Sequence, residues 1–432
     1  MKYIWIILLV SINAATTTAQ QALTLPDAIN IALKNSLDIQ LQKNNLLIAS
    51  NNNYIGMAGG LPLVTGSASD NESITSVRQT RNTGEKINGN NASGNSAAAG
   101  VTGSMLLYNG GRVVATKKRL EQLQLQSEDL LNAQVQNTMA AVMTAYFDVV
   151  RQQDYVKTID LSIDVAQKKL DIIKARQDVG LANNADLFQA QVDLNNLVQT
   201  RESQLLTIKQ AHTELLRLLT LKPDSVIAVR DTIVVDTSLT LDIVMNSLHS
   251  NFDVQAADEQ IKINNLIVTE TAAQRYPTVR ANGGYSYSRT QSQVGNLTLN
   301  QSYGPFAGLT LNVPIYNGSV YKRQQKTAEI NTTIASIQKD ILLRDYSSNI
   351  VKSYNSYLLN LRQLDTQKKN YELSQKLLDL VLQRFQLRQA TIVDLAQAQQ
   401  SLITAGFSVI NLSYAAKASE IELKRVSNQL KM

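Results

Sequence analysis

The chain has 432 residues, 18% charged and only 5% aromatic, with Leu, Ala and Ile leading its apolar set and Asn and Gln abundant, a mixture suited to long helices with partly wet faces. Net charge is +6 with no basic cluster, which excludes nucleic acid as a partner. The absence of cysteine excludes disulfides, thiol chemistry and lipidation of an N-terminal cysteine.

Residues 1–19 read as a secretory signal peptide. Lys2 supplies the charge, Tyr3 to Ile12 the apolar core, and Thr17-Thr18-Ala19 the small residues before Gln20. About ten apolar residues cannot span ~30 Å as a helix, and no later run approaches ~20. The first helix is expected over 25–54, with Pro26 in its first turn. A β-hairpin is expected over 61–109. Leu61-Pro62-Leu63 opens it, and Val101, Met105 and Leu107 alternate with Thr102 and Ser104 to close it. The stretch from Ser69 to Ala99, rich in Asn, Ser, Thr and Gly, reads as a long surface loop.

Arg112 to Val179 contains neither proline nor glycine, and its apolar residues recur every three or four positions, as at Val135, Met139, Val142, Tyr146 and Val149. A helix over 111–178 would be on the order of 100 Å long, one arm of a coiled-coil hairpin. Its tip is expected at 179–185 and its return helix at 186–221. The linker 222–240 follows, with short strands expected at Val226–Val229 and Ile233–Val235.

The same unit then recurs. Tyr108-Asn109-Gly110 and Tyr316-Asn317-Gly318 stand 208 residues apart (316 − 108), and so do Asp186 and Asp394 in their matching return arms (394 − 186). The first repeat is therefore 20–221 and the second 241–432. The second comprises a helix over 241–275, a hairpin over 277–316, a long helix over 318–387, a tip at 388–391 and a return helix over 392–430. Val279, Ala281, Tyr285 and Tyr287 alternate with polar residues, as do Leu309, Leu311, Val313 and Ile315, around a polar segment from Gln291 to Tyr303. Apolar-polar alternation in runs of about ten marks a transmembrane hairpin, with Leu309, Leu311, Val313 and Ile315 expected to face lipid. One chain then supplies four strands. Edges cannot face lipid, so several chains must share a barrel.

Enzyme chemistry finds little support. His212 and His249 each stand without a companion at metal spacing, no phosphate-binding loop occurs, and Gly110-Gly111-Arg112 lacks the dinucleotide pattern. No cofactor or metal is called for. At the tips, Asp186 and Asp394 stand three residues after Asn183 and Thr391, the spacing of a helix cap. They also suit rings of carboxylates at a symmetric entrance.

In order and duplicated, these features resemble the TolC-like outer-membrane efflux family. The residues that carry the likeness are Leu25-Pro26-Asp27-Ala28-Ile29, Leu61-Pro62, Tyr276-Pro277, Tyr108 to Arg112, Arg176 to Gly180 with Asp186, and Thr391 to Leu395. The resemblance implies a mainly α protein with a membrane β-barrel. A homotrimer would form a twelve-stranded barrel in outer-membrane lipid that continues into an α-helical barrel. Its tips would dock on a periplasmic adaptor coupled to an inner-membrane transporter, and the channel would export small molecules. An exit duct for type I protein secretion and a periplasmic coiled-coil scaffold are the alternatives. The expected gate residues are Asp186, Asp394, Arg388, Phe385 and Arg176, and the expected docking tip is Val179, Gly180 and Leu181. The chain departs from the family pattern in Arg388 and Ala390 at the second tip, in Phe385 where tyrosine is common, and in Gln397. Arg388 is expected to act as a clasp across protomers, reaching a neighbouring carboxylate such as Asp186.

Overall fold

In a computed structural model, residues 22–294 and 297–430 are described. The expected signal peptide lies outside them. A two-residue strand β1 (Ala22–Leu23) leads into helices α1 (Leu25–Asn35) and α2 (Leu37–Asn52). Strands β2 (Leu63–Thr80) and β3 (Lys86–Tyr108) follow, then helices α3 (Arg112–Asp178) and α4 (Asn184–Leu218). After the short strand β4 (Ala228–Val229) come α5 (Leu241–Asn246), a 3-10 turn (Ser247–Ser250) and α6 (Phe252–Ala272). Strands β5 (Thr278–Ser292) and β6 (Leu299–Asn312) precede α7 (Val320–Gln386) and α8 (Ile392–Val426).

The short helix of each repeat is two helices rather than one. The chain breaks at Ser36 in the first copy and at Ser250-Asn251 in the second, which align in the repeat. Both break residues are buried and use their side chains locally. The Ser36 hydroxyl accepts from Ile39 N–H at 3.4 Å, and the Asn251 amide donates to the Val426 carbonyl at 2.8 Å. Such side-chain bonds compete with helix continuation.

The stretch from Ser69 to Ala99 is not a loop. Strands β2 and β3 pair through it, with a turn only at 81–85. Likewise β5 and β6 reach Ser292 and Leu299, well into the segment read as polar loop. Backbone bonds alone hold a ladder together, so a strand wet on both faces carries no apolar alternation to read. Ile233–Val235 forms no strand. In the linker only β4 pairs, parallel to β1. Beside it the backbone is held by side chains. Tyr146 donates to Asp231 at 2.8 Å, and buried Glu420 accepts from the Asp236 N–H at 2.9 Å.

The described residues form two compact units that interleave the two repeats. One comprises 22–40, 133–251 and 345–430. Its core joins Ile29, Val142, Tyr146, Val149, Leu215 and Ile421, and a second cluster joins Ile173, Ala190, Phe385, Leu395 and Leu402. The other unit comprises Leu41–Asn132 and Phe252–Arg344 and holds a four-stranded antiparallel sheet in the order β2-β3-β5-β6.

Candidate gate and membrane sheet

Register decides the faces of the sheet. Val64 lies opposite Gly103, Gly103 opposite Gly283, and Gly283 opposite Ala307. With a period of two, that row extends to Ala68, Ala99, Val101, Met105, Val279, Ala281, Tyr285, Leu309 and Leu311 on one face. The opposite face carries Thr65, Ser67, Thr102, Ser104, Arg280, Asn282, Ser286, Ser302, Thr310 and Asn312, interrupted by Leu63, Leu106 and Phe306. The apolar face runs from Val279 to Tyr287, roughly 26 Å of strand. Beyond it the same face turns polar at Arg289, Gln301, Asp70 and Glu72. Tyr287 lies opposite Tyr303 at that boundary, and exposed Tyr108 and Tyr276 flank the other end. Leu309 and Leu311 are exposed on this face. Val313 and Ile315, expected to continue the strand, lie beyond its end at Asn312. Pro314 between them has no N–H to give a ladder. Strands β2 and β6 each pair on one side only, so both edges of the sheet are open.

The tips sit in the other unit and are built alike. Helix α3 ends in paired backbone bonds, Gly180 N–H to the Gln177 carbonyl at 2.9 Å and Leu181 N–H to the Arg176 carbonyl at 2.7 Å. Helix α7 ends with the matching pair, Arg388 N–H to Phe385 at 3.2 Å and Gln389 N–H to Arg384 at 2.8 Å. This is the Schellman closure, which needs a left-handed residue just past the helix. Gly180 supplies it at φ +75° and Arg388 at φ +62°, so Arg388 occupies a position that favours glycine.

Each return helix opens on a cap. Asn183 accepts from the Asp186 N–H at 2.7 Å. Thr391 and Asp394 form a reciprocal capping box, the carboxylate taking the Thr391 N–H and hydroxyl at 2.8 Å each. The backbone bond from Thr391, then its hydroxyl, holds the Asp394 pKa below the usual carboxylate value.

Within one chain the predicted gate residues are partly brought together. Arg176 donates to the Phe385 carbonyl, and its guanidinium lies 4.4 Å from the centre of the buried Phe385 ring. A cation from α3 thus neutralises the carbonyl end of α7 while stacking on its last aromatic residue. Among the described residues no ion pair joins Arg388 to Asp186 or Asp394. Val179 and Leu181 are exposed, and so are Phe188, Leu387 and Val393, which the sequence reading did not single out. The repeat offset could have found one of them, since Leu387-Arg388 matches Val179-Gly180. A further feature went unseen: Lys169 is buried and paired with Asp193 at 2.6 Å, behind the tip.

With this geometry in place, comparison with known proteins is decisive. The profile of the outer membrane efflux protein family matches residues 28–221 and 243–429, nearly all of both repeats. The chain belongs to that family. It is 24% identical over 342 residues to outer membrane protein TolC of Vibrio cholerae, covering 77% of each chain. It is 19% identical over 425 residues to outer membrane efflux protein BepC of Brucella suis, covering 98% of this chain and 89% of that one. Its fold matches the crystal structure of outer membrane protein VceC from Vibrio cholerae at a TM-score of 0.76 and 18% identity, covering 93% and 95% of the two chains. As an outer membrane efflux family member, this protein is an outer-membrane protein with the TolC-like fold, helical for the most part and carrying an antiparallel membrane sheet. Its family is one of efflux proteins rather than enzymes.

Proposed function

We propose that three copies of this chain close their sheets into one twelve-stranded barrel and form an outer-membrane channel for the efflux of small molecules. The observation that carries this reading is a four-stranded sheet with one continuous apolar face and two open edges. Lipid satisfies the apolar face, but it cannot satisfy unpaired N–H and C=O groups, so β6 of one copy pairs with β2 of the next. The opposite face of Ser, Thr and Asn then lines an aqueous lumen.

The tips form the gate and the docking site. Asp186 and Asp394, multiplied by three, ring the periplasmic entrance, and the Arg176–Phe385 contact holds α3 and α7 together beside them. The exposed apolar tip of Val179, Gly180 and Leu181, enlarged by Leu387 and Val393, docks a periplasmic adaptor that delivers cargo from an inner-membrane transporter.

Two measurements test this. The purified chain in planar bilayers is expected to give discrete conductance steps, and stable insertion without conductance sinks the channel reading. Gly180→Val meets no neighbour but forces a β-branched residue into a left-handed turn. It is expected to abolish cross-linking to the adaptor while leaving conductance intact. Undiminished cross-linking removes the tip from the docking site.

A further inference from the structure

Where the membrane sheet meets the start of α3, the unit that contains them holds a cavity of about 770 Å³. Its charged lining consists of Arg112, Arg119, Arg280 and Glu270. Arg119 takes Glu270 at 2.7 Å, so the only carboxylate in the wall is already neutralised. Arg112 and Arg280 remain exposed, and among the described residues neither has an ion-pair partner. The sheet side of the cavity is formed by Leu63, Ser104, Leu106 and Arg280, all on the polar face. On that face no other charged residue occurs from Arg280 up to Ser288 or on the strands opposite. Arg112 opens α3, whose amino-terminal dipole end adds positive potential at the same wall.

Taken together, the geometry points to an oxyanion site: we propose that this cavity binds phosphate, sulfonate or carboxylate groups of passing cargo through Arg112 and Arg280. The proposal rests on the channel reading for its access route, since the polar face must be the lumen. A guanidinium presents a planar fork of donors that matches such groups. Repeated by three-fold symmetry, the arginines form a cationic ring at the base of the barrel, and such rings favour anions. Lipid phosphate is not the ligand, because the site opens on the face away from the apolar band.

The test uses full-length protein and pyrophosphate as the probe. Calorimetry in detergent is expected to show binding that Arg280→Gln weakens at least about ten-fold, that Arg112→Gln also weakens, and that Arg280→Lys, which keeps the charge but loses the fork, weakens less than Arg280→Gln. In planar bilayers under a potassium chloride gradient, Arg280→Gln is expected to lower the anion-to-cation permeability ratio at least about two-fold. Pyrophosphate is expected to block the wild-type channel more than the variant. If both arginine-to-glutamine variants bind pyrophosphate like wild type and keep its selectivity, the site does not exist. If wild type binds pyrophosphate with this mutational pattern but never conducts, the site stands and the channel reading falls. Chloride selectivity that changes without any pyrophosphate binding reduces the ring to a general field and overturns the site.

Discussion

Arg388 and Arg176 look interchangeable in the sequence, two cations near the tips, and the backbone separates them. Arg388 sits at φ +62°, where a side chain costs ~1–2 kcal/mol. Glycine would relieve that strain but lose ~0.5–1 kcal/mol to the freedom of the unfolded chain. Arg388→Gly is therefore expected to stabilise by up to about 1 kcal/mol and to leave resting conductance unchanged. Arg176→Gln removes a charged bond to the Phe385 carbonyl, which keeps only the Arg388 N–H, and a ring contact, at a cost of ~1–3 kcal/mol. It is expected to destabilise the tip and raise resting conductance in planar bilayers. The opposite ranking of the two variants would make Arg388, not Arg176, the clasp. Sequence spacing exposed the cap residues Asn183 and Thr391 but could not reveal the Arg176–Phe385 contact, which joins residues 209 apart. The Asp394 cap also carries a pH dependence. Its folded pKa is depressed by the Thr391 bonds, so its contribution is present above the ordinary value of 3.8 and lost as pH falls through the lower folded value. The Thr391 amide, which donates to the Asp394 carboxylate at 2.8 Å, is expected, corrected for intrinsic exchange, to stay protected at pH 4 and to lose protection only below that. Asp394→Asn should show reduced protection throughout, and loss already at pH 5 in wild type refutes the cap.

At the scale of elements, what could be read was what leaves a pattern in one strand of sequence. Absence of proline and glycine, a 3.6-residue stripe and a constant offset define α3 and α7, because each helix satisfies its own backbone. Strands β2 and β3 beyond the apolar band satisfy theirs only through each other, and their Asn, Ser and Gly side chains are wet on both faces. Nothing in the local composition distinguishes such a ladder from a loop. Register supplies a sharper test of the lipid face than Leu311 alone. Ala307 lies level with Gly283, the middle of the apolar band, whereas Leu311 lies level with Val279 at its end. Ala307→Arg is expected to cost ~2–4 kcal/mol and Leu311→Arg only ~0–1 kcal/mol, since the penalty falls towards the interface. Gly308→Arg, on the opposite face with open space around it, should assemble normally. Outer-membrane assembly assays of the three variants check this, and equal tolerance of Ala307→Arg and Gly308→Arg reverses the faces.

For the whole molecule the proposed stoichiometry rests on strand number. Each chain brings four membrane strands with both edges open, so copies must be added until the sheet closes. Two copies would give eight strands, whose interior is filled by side chains or holds a single small ligand. The polar face argues against that filling. It carries Ser67, Thr102, Asn282, Ser286 and Thr310 rather than the large apolar residues of a packed core, and Arg280 would be buried without a carboxylate. Burying such an unpaired charge is costly. Three copies give twelve strands and a lumen wide enough to stay wet, so each polar side chain keeps water as its partner. Protein extracted in mild detergent is therefore expected to have three times the chain mass by native mass spectrometry. It should run as a heat-sensitive oligomer on unboiled gels. Gly284 lets β3 approach closely, since a Cβ there would lie 2.2 Å from the Val101 carbonyl. Gly284→Val is accordingly expected to lose the oligomer while its helices remain by circular dichroism. A wild-type dimer, or a stable monomer, would show that closure is achieved some other way and would remove the wet lumen from the argument.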